Sequence, residues 1–215
     1  MKTRILLIVL VLMILTMACS LPSIGSKDTP ASPTATPTPD TGMQLYYGTG
    51  LQIMLPTTYV AEDIDSALPT IIATIKDFVG GESSPLSGLV DSIEGNVGWY
   101  GYDGGTAAVY PTRLIILRNK AFSKLPISMI TLGLEQVLGG DAAMVDSDSV
   151  KLGGRNITRL SYSKDSTAWV AYLFKEADYL WMTLYLTTPA NMAAEMHDFE
   201  LSVGSIQIDA VQPAP

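Results

Sequence analysis

Few side chains in this 215-residue chain are of a type and spacing that could do chemistry. There is one histidine, His197, between Met196 and Asp198, so neither a His-rich metal site nor a Ser-His-Asp triad can be assembled around a spare base. It reads as an exposed or rim histidine. Asp141, Asp146 and Asp148 in the stretch GGDAAMVDSDSV supply alternating oxygens of the kind that calcium loops use. The central glycine and terminal glutamate of an EF-hand are missing, and a solvated polar loop is the better reading. Neither GYDGG at 101–105 nor the pair Gly153-Gly154 has the spacing of a phosphate-binding loop. Glu62, Asp63 and Asp65 are most simply the negative first turn of a helix, which the helix dipole favours.

A set of aromatics remains. From Tyr179 to Tyr185 the odd positions carry Tyr179, Trp181, Thr183 and Tyr185, while Leu180, Met182, Leu184 and Leu186 occupy the even ones. In a strand these are opposite faces. The leucine face is expected to pack beneath helices. The aromatic face is either core covered by another helix or a half-exposed surface for an apolar ligand or protein partner. On the second reading Tyr179, Trp181 and Tyr185 are the candidate binding residues.

Cys19 is the only cysteine, so it has no partner for an intramolecular disulfide. It follows Lys2 and Arg4, an apolar run from Ile5 to Leu15, and Thr16-Met17-Ala18. A cationic start, a short apolar core and a small residue before the cut make a signal-peptide layout. The run is shorter than the ~20 residues of a comfortable membrane span. The segment around Cys19 resembles the lipobox of bacterial lipoproteins in Ala18, though Thr16 and Met17 depart from the commonest pattern. That resemblance implies lipid on Cys19 and an extracytoplasmic protein anchored to a membrane, inner or outer left open. Loss of residues 1–18 removes two cations and no acid, which deepens the net charge from −8 to about −10. Such a surface repels nucleic acid and anionic lipid heads, leaving the lipid as the membrane contact.

The elements that must position these residues follow from periodicity. Residues 1–18 read as signal peptide, 19–43 as the lipidated cysteine and a disordered Thr/Pro-rich linker, 44–211 as one domain, and 212–215 as a tail. Strands are expected at 51–55, with 45–47 in the same strand or just before it, and at 97–102, 107–110, 114–117, 157–163, 168–174, 179–186 and 205–208. Helical faces recur from Ile64 to Val79, regular from about Pro69, from Pro126 to Leu138, and after Thr188, which caps a helix with Pro189 in its first turn. The order describes an α+β domain: a mostly antiparallel sheet flanked by about three helices.

GLQIMLPTTYV at 50–60, GGRNITRLSYS at 153–163 and DFELSVGSIQI at 198–208 resemble the PsbP-like (Mog/PsbP) group, which includes many small bacterial lipoproteins. Tyr59 stands where that group commonly has Trp. The resemblance covers about residues 44–209 and implies an α/β/α sandwich; it does not deliver function. No nucleophile, base and orienting group come together in the sequence. The expected function is a non-enzymatic binding or accessory module for a protein partner, with no cofactor and no metal. A carrier of a small apolar ligand and an enzyme with an unrecognised site remain open alternatives.

Overall fold

A computed structural model describes residues 42–79, 93, 95–105, 111–138 and 143–208, all within the unit Pro39–Pro215. Cys19 with its flanks, Asp141 and the expected strand at 107–110 lie outside the described residues.

β1 (Met43–Gly48) and β2 (Leu51–Pro56) form an antiparallel hairpin about Thr49-Gly50. Alternation in β2 is strict: Leu51, Ile53 and Leu55 are fully buried and the residues between them are not. Gln207–Ile208, the last strand, pairs with the other edge of β2 and completes a three-stranded sheet.

The larger sheet has seven strands among the described residues. They are β3 (Tyr59–Ala61), β4 (Val97–Asp103), β5 (Arg113–Asn119), β6 (Ala143–Leu152), β7 (Arg155–Lys164), β8 (Thr167–Glu176) and β9 (Tyr179–Thr187). Their order across the sheet is β3-β4-β5-β9-β8-β7-β6, and every neighbouring pair is antiparallel. β6 to β9 form a meander joined by two-residue turns, a connection that only antiparallel strands permit. Gly153-Gly154 and Ala177-Asp178 adopt positive φ at both central positions, +55° and +80°, +51° and +63°. That is the turn whose twist matches its flanking strands.

Among the described residues three helices cover the sheet: α1 (Ile64–Val79), α2 (Ile127–Leu138) and α3 (Pro189–Ser205). Helix α1 starts at Ile64 rather than near Pro69. Asp63 accepts the Ser66 amide at 2.9 Å, and Pro69 forgoes only one early backbone bond, so the first turn holds. Thr188 caps α3 as its sequence indicates, accepting the Asn191 amide at 3.2 Å.

Each face of the large sheet has its own core. Leu180, Met182, Leu184 and Leu186 of β9 face Ala67, Ile71 and Ile75 of α1 and Ile130 and Leu134 of α2. The opposite face, with Trp181 and Tyr185, is covered by Met192, Phe199 and Val203 of α3 and by β2 of the small sheet. The class is therefore α+β with helices on both sides, as the periodicity indicated.

The polar stretch before β7 departs from expectation. The polar loop expected around Asp146 and Asp148 is the edge strand β6, paired along β7. Arg159 of β7 lies directly across from Asp148, and its charge makes two aspartates tolerable in a strand.

Candidate functional site

The aromatic row of β9 is interior. Trp181 and Tyr185 are each 1% exposed, which corrects the reading of them as a binding surface. Trp181 Nε1 donates to the Glu176 carbonyl at 3.2 Å, and Tyr185 stacks on Phe199 of α3 with ring centres 4.1 Å apart. Tyr179, at the strand's start, is half-buried beneath the Arg118 guanidinium, 5.4 Å from its ring centre. His197 is exposed on α3.

Asp146 and Asp148 are committed to a structural task. Arg159 Nη2 donates to Oδ2 of each at 2.9 Å, and Nη1 donates to Glu200 of α3. One guanidinium thus pins α3 to β6 and β7. Among the described residues no group of His, Cys, Asp or Glu is arranged to hold a metal ion.

An open concavity lies elsewhere among the described residues. A cavity of about 440 Å³, open to solvent, is lined by Glu62, Asp63, Ser66, Thr70, Tyr100 and Arg113. Arg113 Nη1 donates to Tyr100 Oη at 3.3 Å, and burial pushes the Tyr100 phenol pKa up. A second cavity of about 290 Å³ shares Glu62 and Tyr100 and continues past Ile64 and Trp99 to Tyr47 and Thr49. Glu62 and Tyr100 border both, and the two cavities are together termed the trough. Its walls are fixed by backbone bonds to β4: the Thr49 amide donates to the Gly98 carbonyl at 2.8 Å and the Glu62 amide to the Tyr100 carbonyl at 3.1 Å. The hairpin tip comes this close because Gly48 has no side chain; a Cβ there would lie 2.3 Å from the Gly98 oxygen.

A smaller cavity of about 100 Å³ separates α3 from the β3–β4 end of the sheet. Tyr59, Asp103, Glu195, Asp198, Phe199 and Ser202 line it. Glu195 Oε2 accepts from Thr112 Oγ1 at 2.9 Å, and Thr112 Oγ1 lies 2.8 Å from Thr187 Oγ1. Burial, with the charges of Asp103 and Asp198, lifts the Glu195 carboxyl above its ordinary pKa against the Thr112 bond. Tyr185, which is not in the cavity's lining, buries its Oη beside Ser202. Burial raises its pKa far above the usual tyrosine value, and Tyr172, Ser202 and Asp198 are the polar groups acting on it.

No protein-family model matches the sequence, and no curated protein does. Solved structures do. The chain is similar to cyanobacterial PsbP from Synechocystis sp. PCC 6803 at 13% identity, over 89% of this chain and 99% of that one, with a TM-score of 0.48. It is similar to LpqN, involved in cell envelope biogenesis of Mycobacterium tuberculosis, at 9% identity over 78% and 92%, with a TM-score of 0.44. PA94 from Pseudomonas aeruginosa gives 10% identity over 80% and 98%, with a TM-score of 0.41. These are distant likenesses, and the chemistry of this chain is read from its own residues.

The trough sets the Arg113 guanidinium and the Tyr100 phenol among Glu62 and Asp63, with Tyr47 and Thr49 bordering the second cavity. These residues come from β1, the β3–α1 link, β4 and β5, and no sequence spacing joins them. No helix among the described residues is long and apolar enough to cross a membrane.

Proposed function

We propose that this chain is an extracytoplasmic accessory module without enzymatic activity, held at a membrane by lipid on Cys19 and engaging a protein partner through the trough beside α1. The carrying observation is that two cavities of about 440 and 290 Å³, both open to solvent, share Glu62 and Tyr100 in their linings. An open trough with mixed charge and aromatic residues suits a segment of another protein. An apolar carried molecule would need an enclosed apolar pocket instead. Charge placement supports the same reading: Arg113 offers a bidentate donor to a partner carboxylate, and Glu62 and Asp63 face outward for its cations.

Two measurements test the two halves separately. Cys19→Ser is expected to move the protein from the membrane to the soluble fraction or to leave the precursor uncleaved; a processed protein still held in the membrane would contradict the anchor. Charge reversal at the trough, Arg113→Glu, is expected to leave the anchor intact and lower recovery of the wild-type protein's cross-linked partner at least about tenfold. Equal recovery would contradict the trough.

A further inference from the structure

The acidic net charge turns the chain as a whole away from anionic lipid heads, but the segment that leads from β5 into α2 is the exception. From Gly104 to Leu134 there is no aspartate or glutamate and there are four cations, Arg113, Arg118, Lys120 and Lys124, in a chain of net charge −8. Lys120 precedes the single helical turn Phe122–Lys124 and Lys124 ends it, both exposed. Among the described residues neither is in an ion pair. Side-chain bonds fix the turn: Asn119 Oδ1 accepts the Phe122 amide at 2.9 Å, and Ser123 Oγ donates to the Lys120 carbonyl at 2.7 Å. A third cation comes from β8, where Lys175 Nζ donates to the Leu125 carbonyl at 2.6 Å. Next to Lys175, Glu176 is paired with Arg155, which leaves Asp178 of the β8–β9 turn against the lysines.

An apolar stripe adjoins these lysines. Leu125, Met129 and Leu132 are 39%, 58% and 54% exposed, half of the six large apolar side chains that are exposed among the described residues. Met129 and Leu132, three residues apart, share one side of α2 with Leu125 at its entry, while Ile130 and Leu134 enter the core. Within the 12 residues of α2 only Glu135 is charged. A surface helix ordinarily sets charged residues opposite its buried stripe, so a helix that is apolar on both sides calls for a second apolar neighbour. The protruding side chains suit a soft apolar layer, and the lysines are point charges that meet phosphate head groups without a fixed geometry. Their stems can lie along the acyl boundary while the ammonium heads stay with the phosphates. Cations beside a short apolar stripe are how a helix rests in the interface of an anionic bilayer.

We propose that the surface formed by Lys120, Lys124, Lys175, Leu125, Met129 and Leu132 lies against an anionic lipid bilayer. This contact is separate from the trough and from lipid on Cys19, and it rests on neither. The probe is a nitrobenzoxadiazole label attached through Met129→Cys in the full-length Cys19→Ser chain, with the same label through Lys151→Cys on β6 as control. The vesicles are phosphatidylcholine alone, or phosphatidylcholine and phosphatidylglycerol in equal parts. Because the label reports its own surroundings, insertion of the apolar run at 5–15 does not mimic the result. A blue-shifted emission, quenched by spin-labelled lipids, is expected from position 129 with the anionic vesicles and not from position 151. Lys120→Glu with Lys124→Glu is expected to lower the ratio of inserted to free label at least about tenfold, and a wild-type circular dichroism spectrum shows that the variant folds. Concentrated sodium chloride reads the same charge dependence on the unreversed surface, where it is expected to withdraw the label. The proposal is overturned if the label at 129 stays in water, if positions 129 and 151 respond alike, if neutral vesicles give equal insertion, or if neither charge reversal nor salt lowers it. A shift with polyglutamate and none with anionic vesicles also overturns it, and assigns the surface to an acidic protein.

Discussion

The two faces of the seven-stranded sheet are built from the same strands and differ in kind. Beneath α1 and α2 the meander contributes Leu160, Leu173, Leu180, Met182, Leu184 and Leu186, a mainly aliphatic layer that also buries Tyr162 with its Oη unpaired. Beneath α3 one row across the strands reads Asp148, Arg159, Tyr172, Thr183 and Ile116, and the next reads Asp146, Ser161, Val170, Tyr185 and Leu114. That second face buries the Arg159 Nε, Ser161 Oγ and Thr183 Oγ1 atoms without hydrogen-bond partners. Buried polar atoms left unpaired cost free energy that an aliphatic layer avoids. One face is thus built for cohesion, and the other gives up stability to keep polar groups near a cavity.

The largest effect is expected on the cohesive face. Leu184 is fully buried, and Leu184→Ala is expected to cost about 2–5 kcal/mol in urea denaturation. A smaller loss would mean that this layer is not the principal core. Next comes the polar face, where Arg159→Met leaves Asp146, Asp148 and Glu200 facing one another. Those acids reach solvent, so the expected cost is about 1–3 kcal/mol, and it should shrink when Asp148→Asn is added. A double-mutant cycle without that recovery would remove the cluster from the account.

Register sorts residues between the two faces, and the β8–β9 turn holds it. Ala177 sits there at φ +51°, where an L side chain is strained, so Ala177→Gly should gain about 0.5–1 kcal/mol with unchanged cross-strand pairing. The smallest effect concerns Glu195. Its carboxyl has a raised pKa in the folded protein, through burial first and neighbouring acids second. A raised folded pKa means stability is fully present below the unfolded value and is lost as pH rises through the folded one. Glu195→Gln should therefore raise neutral-pH stability by about a few tenths of a kcal/mol, given its partial exposure, and flatten the profile above about pH 4.3. A loss of stability at neutral pH would mean that the carboxylate is held by more than the Thr112 bond.

Much of the fold was legible because it is local. Alternation in β9 separates its two faces, Thr188-Pro189 starts α3, and Asp63 starts α1. What escaped depends on contacts between distant segments. Asp146 and Asp148 look like loop residues until Arg159 is placed across from them, and that pairing is a property of the sheet. The aromatic row left two readings open, covered core or surface, because nothing in Tyr179 to Tyr185 announces that α3 and β2 will cover it. Both cavities escaped entirely: the trough joins residues near 47, 62, 100 and 113, and the smaller cavity joins Tyr59, Asp103 and Glu195. Ordinary polar residues reach these places only through tertiary structure. Cys19 is the opposite case, read from its neighbours in sequence and lying outside the described residues.

The central claim is that the domain meets a protein partner at the trough. Site-specific photo-cross-linking in native membranes addresses it, with the reactive side chain placed at Thr70 in the trough or at Lys151 on the edge strand β6. A discrete adduct from Thr70, absent from Lys151 and lost with Arg113→Glu, is the expected result. An adduct from Lys151 with none from Thr70 would contradict the account.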